Sequence, residues 1–149
     1  VGMYDALVTA LGDVNQRASW DEQIEALRQA IARDPSAVEG IHAAFALERG
    51  DAAADDLMEM LLGFDRAAVG TTRQEVLNGV MLRLLQWMEH DDLIYRVLAS
   101  YNANEILGTR DLGGYEPQQS KSQRDRMLRR VWERFERGEL LPPGLETND

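Results

Sequence analysis

The chain of 149 residues contains no cysteine. That excludes disulfide staples, thiolate metal sites and a cysteine nucleophile, and it leaves the redox compartment open. Proline is scarce, at four residues, and no stretch alternates apolar and polar residues as a half-buried strand does. All-α is the natural class. No apolar run approaches the ~20 residues needed to cross a bilayer. No targeting segment is read in the chain, so a cytoplasmic location is the expectation. Val1 stands where a start methionine would, which leaves room for further chain upstream. Phosphate-cradling glycine loops and His-x-x-x-His ligand pairs are missing, as is a Gly-x-Ser-x-Gly elbow. No cofactor is expected.

What the chain does have is 44% hydrophobic residues and 28% charged ones, ordinary for a globular protein and enough for one core. One domain over residues 1–149 is expected, with 139–149 as a partly disordered tail in which Leu140-Leu141-Pro142-Pro143 packs back briefly and Glu146 to Asp149 is the frayed end. The densest apolar stretch is Thr72 to Gly108. Thr72 and Glu75 fit a capping box. Val76, Leu77, Val80, Met81, Leu84, Leu85 and Met88 then keep a 3.6-residue period, which predicts one helix ending near Glu89. Asp91 or Asp92 caps the next helix, with Ile94, Val97, Leu98 and Tyr101 inward and Gly108 as its stop. The short break makes the two antiparallel neighbours.

Elsewhere the same signals recur. Met3 to Leu11 reads as a short helix. Ser19 and Glu22 suggest a capping box ahead of Trp20, Ile24, Leu27 and Ile31. Asp34-Pro35 begins a third helix that runs to Arg49, and Asp51 begins a fourth that ends at Gly63. Phe64 to Thr71 reads as a loop, as does Thr109 to Gln119. Ser120 or Ser122 caps a last helix with Met127, Leu128, Val131, Trp132 and Phe135 inward. The sum is about seven helices in antiparallel hairpins.

Asp92, Tyr95-Arg96 and Ala99 resemble the Asp…Val-Arg…Ala signature in the second helix of HEAT repeats. A longer run is similar to the closing segment of HEAT-like domains in large planctomycete-type bacterial proteins. It joins His90-Asp91-Asp92-Leu93, Arg96, Leu98-Ala99, Asn102, Ile106-Leu107-Gly108, Gly114-Tyr115-Glu116-Pro117, Arg129 and Trp132. The resemblance covers roughly Thr72 to Pro143. It implies a short right-handed HEAT/ARM-like α-α superhelix, an Asp92 that meets an arginine of a neighbouring unit, and no catalytic residues.

The net charge of −10 is unevenly spread. Lys121 to Arg137 holds seven basic and three acidic residues, a net of +4, which leaves −14 on the rest of the chain. The basic helix is expected to dock on an acidic body, with a partner-binding patch as the alternative. Candidate interaction residues are Arg110 and Tyr115 in the long loop, and Arg124, Arg126, Arg130 and Arg134 in the last helix. Arg110 and Tyr115 have another reading, which the resemblance favours, as ties of the loop to the last helix with Tyr115 packing on Trp132. His42 and His90 read as structural, the latter meeting helix-end carbonyls. Asp55, Asp56 and Glu59 could touch a hard cation but read as a solvated face.

These residues point to a non-enzymatic interaction or scaffold domain whose partner is another protein, a basic one given the acidic body, or another domain of a larger chain. Nucleic-acid contact through the basic helix, with Arg137 joining the patch, is the alternative, opposed by the overall acidity. An enzyme drawing on the excess carboxylates is a second. Oligomeric state is not legible in the chain.

Overall fold

A computed structural model describes residues 2–145 of the chain. All regular elements among them are helical: α1 (Asp5–Leu11), a 3-10 helix (Val14–Ser19), α2 (Trp20–Arg33), α3 (Ala37–Arg49), α4 (Asp51–Leu62), α5 (Arg66–Val69), α6 (Arg73–Leu77), α7 (Val80–Trp87), α8 (Leu93–Leu107) and α9 (Lys121–Glu136). No described helix is long and apolar enough to cross a membrane. The polar tail expected from Glu146 to Asp149 lies outside the described residues.

Helix α8 is the axle. Its run from Ile94 to Ser100 is buried without interruption, and Asn102, Ala103 and Leu107 are buried after it. A helix that is wet on one side shows a buried stripe, not a buried run. The cause is packing from several directions: α1, α2, α4 and α7 all lie against it. Contact between α1 and α8 brings chain segments some 90 residues apart together, so the helices close around α8. The hairpin of α3 and α4 contributes Ile41, Phe45, Leu57 and Leu61 to the core, all fully buried. From α7 come Met81, Leu84 and Leu85, equally buried. Each such side chain contributes about 1.5–3 kcal/mol relative to exposure.

Asp92 starts α8 by accepting from the Ile94 amide, and its other oxygen takes the Arg49 Nε of α3 at 2.8 Å. Gly108 ends α8 in the left-handed conformation, φ 67°. At α9 the expected cap is complete: Ser120 accepts from the Gln123 amide and the Gln123 side chain reaches back to Ser120.

Several expectations are corrected. The helix expected from Thr72 onward is two, broken at Asn78–Gly79. A β-carbon on Gly79 would lie 2.7 Å from the Val69 carbonyl and 2.9 Å from that of Glu75, so the backbone crosses too closely there for any side chain. The Thr72 box is half made: Thr72 accepts from the Glu75 amide, but the Glu75 carboxylate turns to the Thr71 amide and hydroxyl. Those two bonds hold its pKa below the ordinary range. The Ser19 box does not form: Ser19 makes no side-chain cap bond, and the 3-10 helix runs straight into α2, the Arg17 carbonyl accepting from the Trp20 amide. Asp34 binds Ser36 in a turn and α3 begins at Ala37. Asp51 is the first residue of α4, with Gly50 before it as cap. The loop after Phe64 contains α5. The packing back expected of Leu140 to Pro143, by contrast, is seen: Leu140 is buried and Leu141 and Leu145 pack on the core.

Candidate functional site

The interior holds more polar chemistry than its apolar pattern suggests, and that chemistry is spent on the fold. Asn102, 1% exposed, donates to the carbonyls of Met60 and Leu98, each at 2.8 Å, and accepts from Arg28 at 3.3 Å. Arg28 also donates to the Leu61 carbonyl, grips both oxygens of Glu105 and lies 5.1 Å over the Tyr101 ring. One guanidinium thus rivets α2, α4 and α8 together. Arg96, 8% exposed, donates to three carbonyls: His90 and Asp91, each at 2.8 Å, and Pro117 at 3.0 Å. Burial, and then the nearby Arg124, pull its pKa down. Five planar donors suit it to gather carbonyls from two loops at once.

Tyr115 is 1% exposed and donates to the Met88 carbonyl at 2.7 Å. Burial pushes its pKa up. It therefore ties the long loop to the α7–α8 junction and is removed from the expected recognition surface. The tie is made to Met88; the Trp132 indole instead donates to Glu89 at 3.1 Å. Tyr95 and Tyr101 are raised likewise, by burial first and then by their carboxylate acceptors, Asp56 and Glu25.

Arg124 is also withdrawn from the surface. It is 8% exposed, shares the inward face of α9 with Leu128, Val131 and Phe135, and donates to the Gln119 carbonyl at 3.1 Å. Its spacing from those residues, four, seven and eleven, is the signal that places it inward. Arg126, Arg130 and Arg134 lie on the opposite face with Arg137, and all are exposed. Arg137 pairs with Glu139, whereas Arg126, Arg129, Arg130 and Arg134 have no carboxylate within 4.0 Å among the described residues. The expected docking of this helix on an acidic body is corrected: apart from Arg124 its inward face is apolar, and its other arginines point to solvent. Arginines spaced by four stand about 6 Å apart along the axis.

A second open surface lies at the long loop. A cleft of about 780 Å³ has α8 as its floor (Val97, Ser100, Tyr101, Asn104), the 3-10 helix and the start of α2 as one wall, and 109–118 as the other. Arg110 lines it, exposed and without an acidic partner among the described residues, and so does Arg17 from the facing wall. Ser100, Asn104 and Arg17 were not singled out from the sequence. Polar residues four apart recur along α8 at Arg96, Ser100 and Asn104, so the spacing alone does not mark the cleft pair.

The histidines and the acidic cluster have local partners. His42 Nε2 lies 2.8 Å from Asp55 across the α3–α4 hairpin. His90 does not cap the carbonyls of α7; its Nδ1 accepts from the Asp92 amide and its ring stacks on Tyr95 at 3.8 Å. Asp56 accepts from Tyr95, and Glu59 pairs with Arg83. Each carboxylate of the suspected cation site therefore turns to a different neighbour. No group of three metal-ligating side chains converges among the described residues. Set against protein-family models, curated proteins and solved structures, the chain matches none.

Proposed function

We propose that this chain is a non-enzymatic interaction domain with HEAT-like hairpins, which holds another protein or another domain of a larger chain. One observation carries the reading. The buried Arg96, Asn102 and Arg124 are engaged in internal bonds that knit the structure, while an unpaired arginine ridge on α9 faces outward from an otherwise acidic molecule. Unopposed like charges on one helix repel one another, and a partner bearing carboxylates relieves that. The basic partner expected from the acidic body is therefore replaced, at α9, by an acidic one. The HEAT-like part of the reading is supported by the α3–α4 and α7–α8 hairpins, by Asp92 meeting Arg49 of the preceding hairpin, and by the fully buried small Ala99. Because α1 closes on α8, the partner meets the outer face of α9 in preference to an open concave array.

A photo-cross-linking residue at position 130, expressed in the cells of origin, tests this. A discrete protein adduct that disappears when Arg126 and Arg134 are changed to Glu is expected. Adducts that form equally at a site on the far side of the molecule would contradict it, as would recovery of small molecules alone.

A second reading, nucleic-acid contact, is favoured by Arg126, Arg130 and Arg134 recurring once per turn on one face. The −14 carried by the rest of the chain opposes it. A gel shift that fails even at low ionic strength ends that reading.

A further inference from the structure

The floor of the loop cleft holds a polar group with nothing to bond. Ser100 is 6% exposed and lines the cleft, yet its hydroxyl has no hydrogen-bond partner among the described residues. The hydroxyl is not sealed from solvent, so it is free to bond whatever enters the cleft. Here the cleft side is the open direction. One turn further along α8, the Asn104 side-chain oxygen accepts from the Thr109 hydroxyl at 2.8 Å, which leaves its amide N–H groups to donate. Ser100 and Asn104 are four residues apart, about 6 Å along the axis. An extended chain repeats its backbone groups on one side every two residues, about 6.6 Å. The two spacings match closely enough for successive same-side carbonyls of an extended segment to meet both donors.

The rim supports the same class of occupant. Arg17 and Asp21 stand on one wall and Arg110, Asp111 and Glu116 on the other. All five lack an ion-pair partner among the described residues, so the free rim carries both signs with one negative charge in excess. A polyanion finds no net attraction there, whereas a chain with side chains of both signs finds a partner for each. The volume, about 780 Å³, exceeds what a single amino acid fills and suits several residues.

We infer that this cleft is a peptide-binding groove, taking a short extended segment of mixed charge whose backbone carbonyls meet Ser100 and Asn104. It deepens the proposed interaction role and rests on it, but it concerns a surface apart from the α9 ridge. The probe is a set of acetylated, amidated hexapeptide pools, each peptide with one acidic and one basic side chain, titrated against the 15N-labelled full chain.

Shifts confined to Ser100, Asn104 and 109–118 are expected. Ser100→Ala and Asn104→Ala should each weaken the binding pools about three- to tenfold, the share of one hydrogen bond. Ser100→Met, which fills the floor, should abolish binding, and Arg130→Glu should leave it unchanged. Ser100→Ala should also melt no lower than the parent, because the hydroxyl has no internal partner to lose. The inference is overturned if no pool shifts these signals at millimolar concentration. Binding that ignores both alanine variants, or inorganic phosphate or free amino acids binding where peptides do not, also overturns it. Loss of stability in Ser100→Ala does the same, by showing that the hydroxyl is used internally. A protein adduct at position 130 alongside peptide failure would leave the interaction role standing and remove only the groove.

Discussion

Helices α8 and α9 are nearly equal in length, 15 and 16 residues, and they use polar side chains in opposite directions. In α8, Arg96 and Asn102 point into the protein and satisfy five backbone carbonyls between them. In α9, only Arg124 turns inward, while Arg126, Arg129, Arg130 and Arg134 stand in solvent. The same residue type is a structural rivet in one helix and a free charge in the other. What decides is phase: the face that a residue occupies settles whether its charge must be matched internally. Function is therefore sought where the polar groups are not already employed.

The sharpest way to break this comparison is Arg96→Ala. Three half-buried bonds to backbone carbonyls are lost at once, and a loss of about 3 kcal/mol is expected in urea unfolding. Next comes Asn102→Ala, which frees the Met60 and Leu98 carbonyls and the Arg28 head, at about 2–3 kcal/mol in the same assay. Tyr115→Phe removes one bond to the Met88 carbonyl, and about 1–2 kcal/mol is expected. Its pH dependence sharpens the point. The folded Tyr95, Tyr101 and Tyr115 all have raised pKa values, so the stability they confer is intact below the ordinary tyrosine value of about 10 and is lost as pH rises above it. Circular dichroism should show alkaline unfolding beginning near pH 10, and Tyr115→Phe should flatten that dependence. Smallest is the outward set: Arg126, Arg130 and Arg134 changed together to Gln should move stability by no more than about 0.5 kcal/mol.

Much of the fold was legible because helices announce themselves by period and by punctuation. Gly50, Gly63 and Gly108 each end a helix where a left-handed or strained backbone is required, and Ser120 caps α9 as its pattern requires. The break at Asn78–Gly79 was not legible: Val76, Leu77, Val80 and Met81 keep their helical phase across it, and only the close crossing over the Val69 carbonyl demands it. Tyr115 was legible as a loop tie, but its partner was not. A loop has no period, so nothing local says that its tyrosine meets the Met88 carbonyl. Arg124 could have been placed by its phase with Leu128, Val131 and Phe135, against the habit of reading arginine as surface. The floor of the cleft depends on which elements close over α8, and that long-range packing leaves no mark in the sequence around Ser100 and Asn104.

Urea unfolding of Arg96→Ala beside the triple Arg126→Gln, Arg130→Gln, Arg134→Gln variant tests the division most directly. The account predicts a loss of several kcal/mol for the first and a midpoint within error of the parent for the second. Comparable destabilisation by both would contradict it, because the α9 ridge would then belong to the fold and not to a partner.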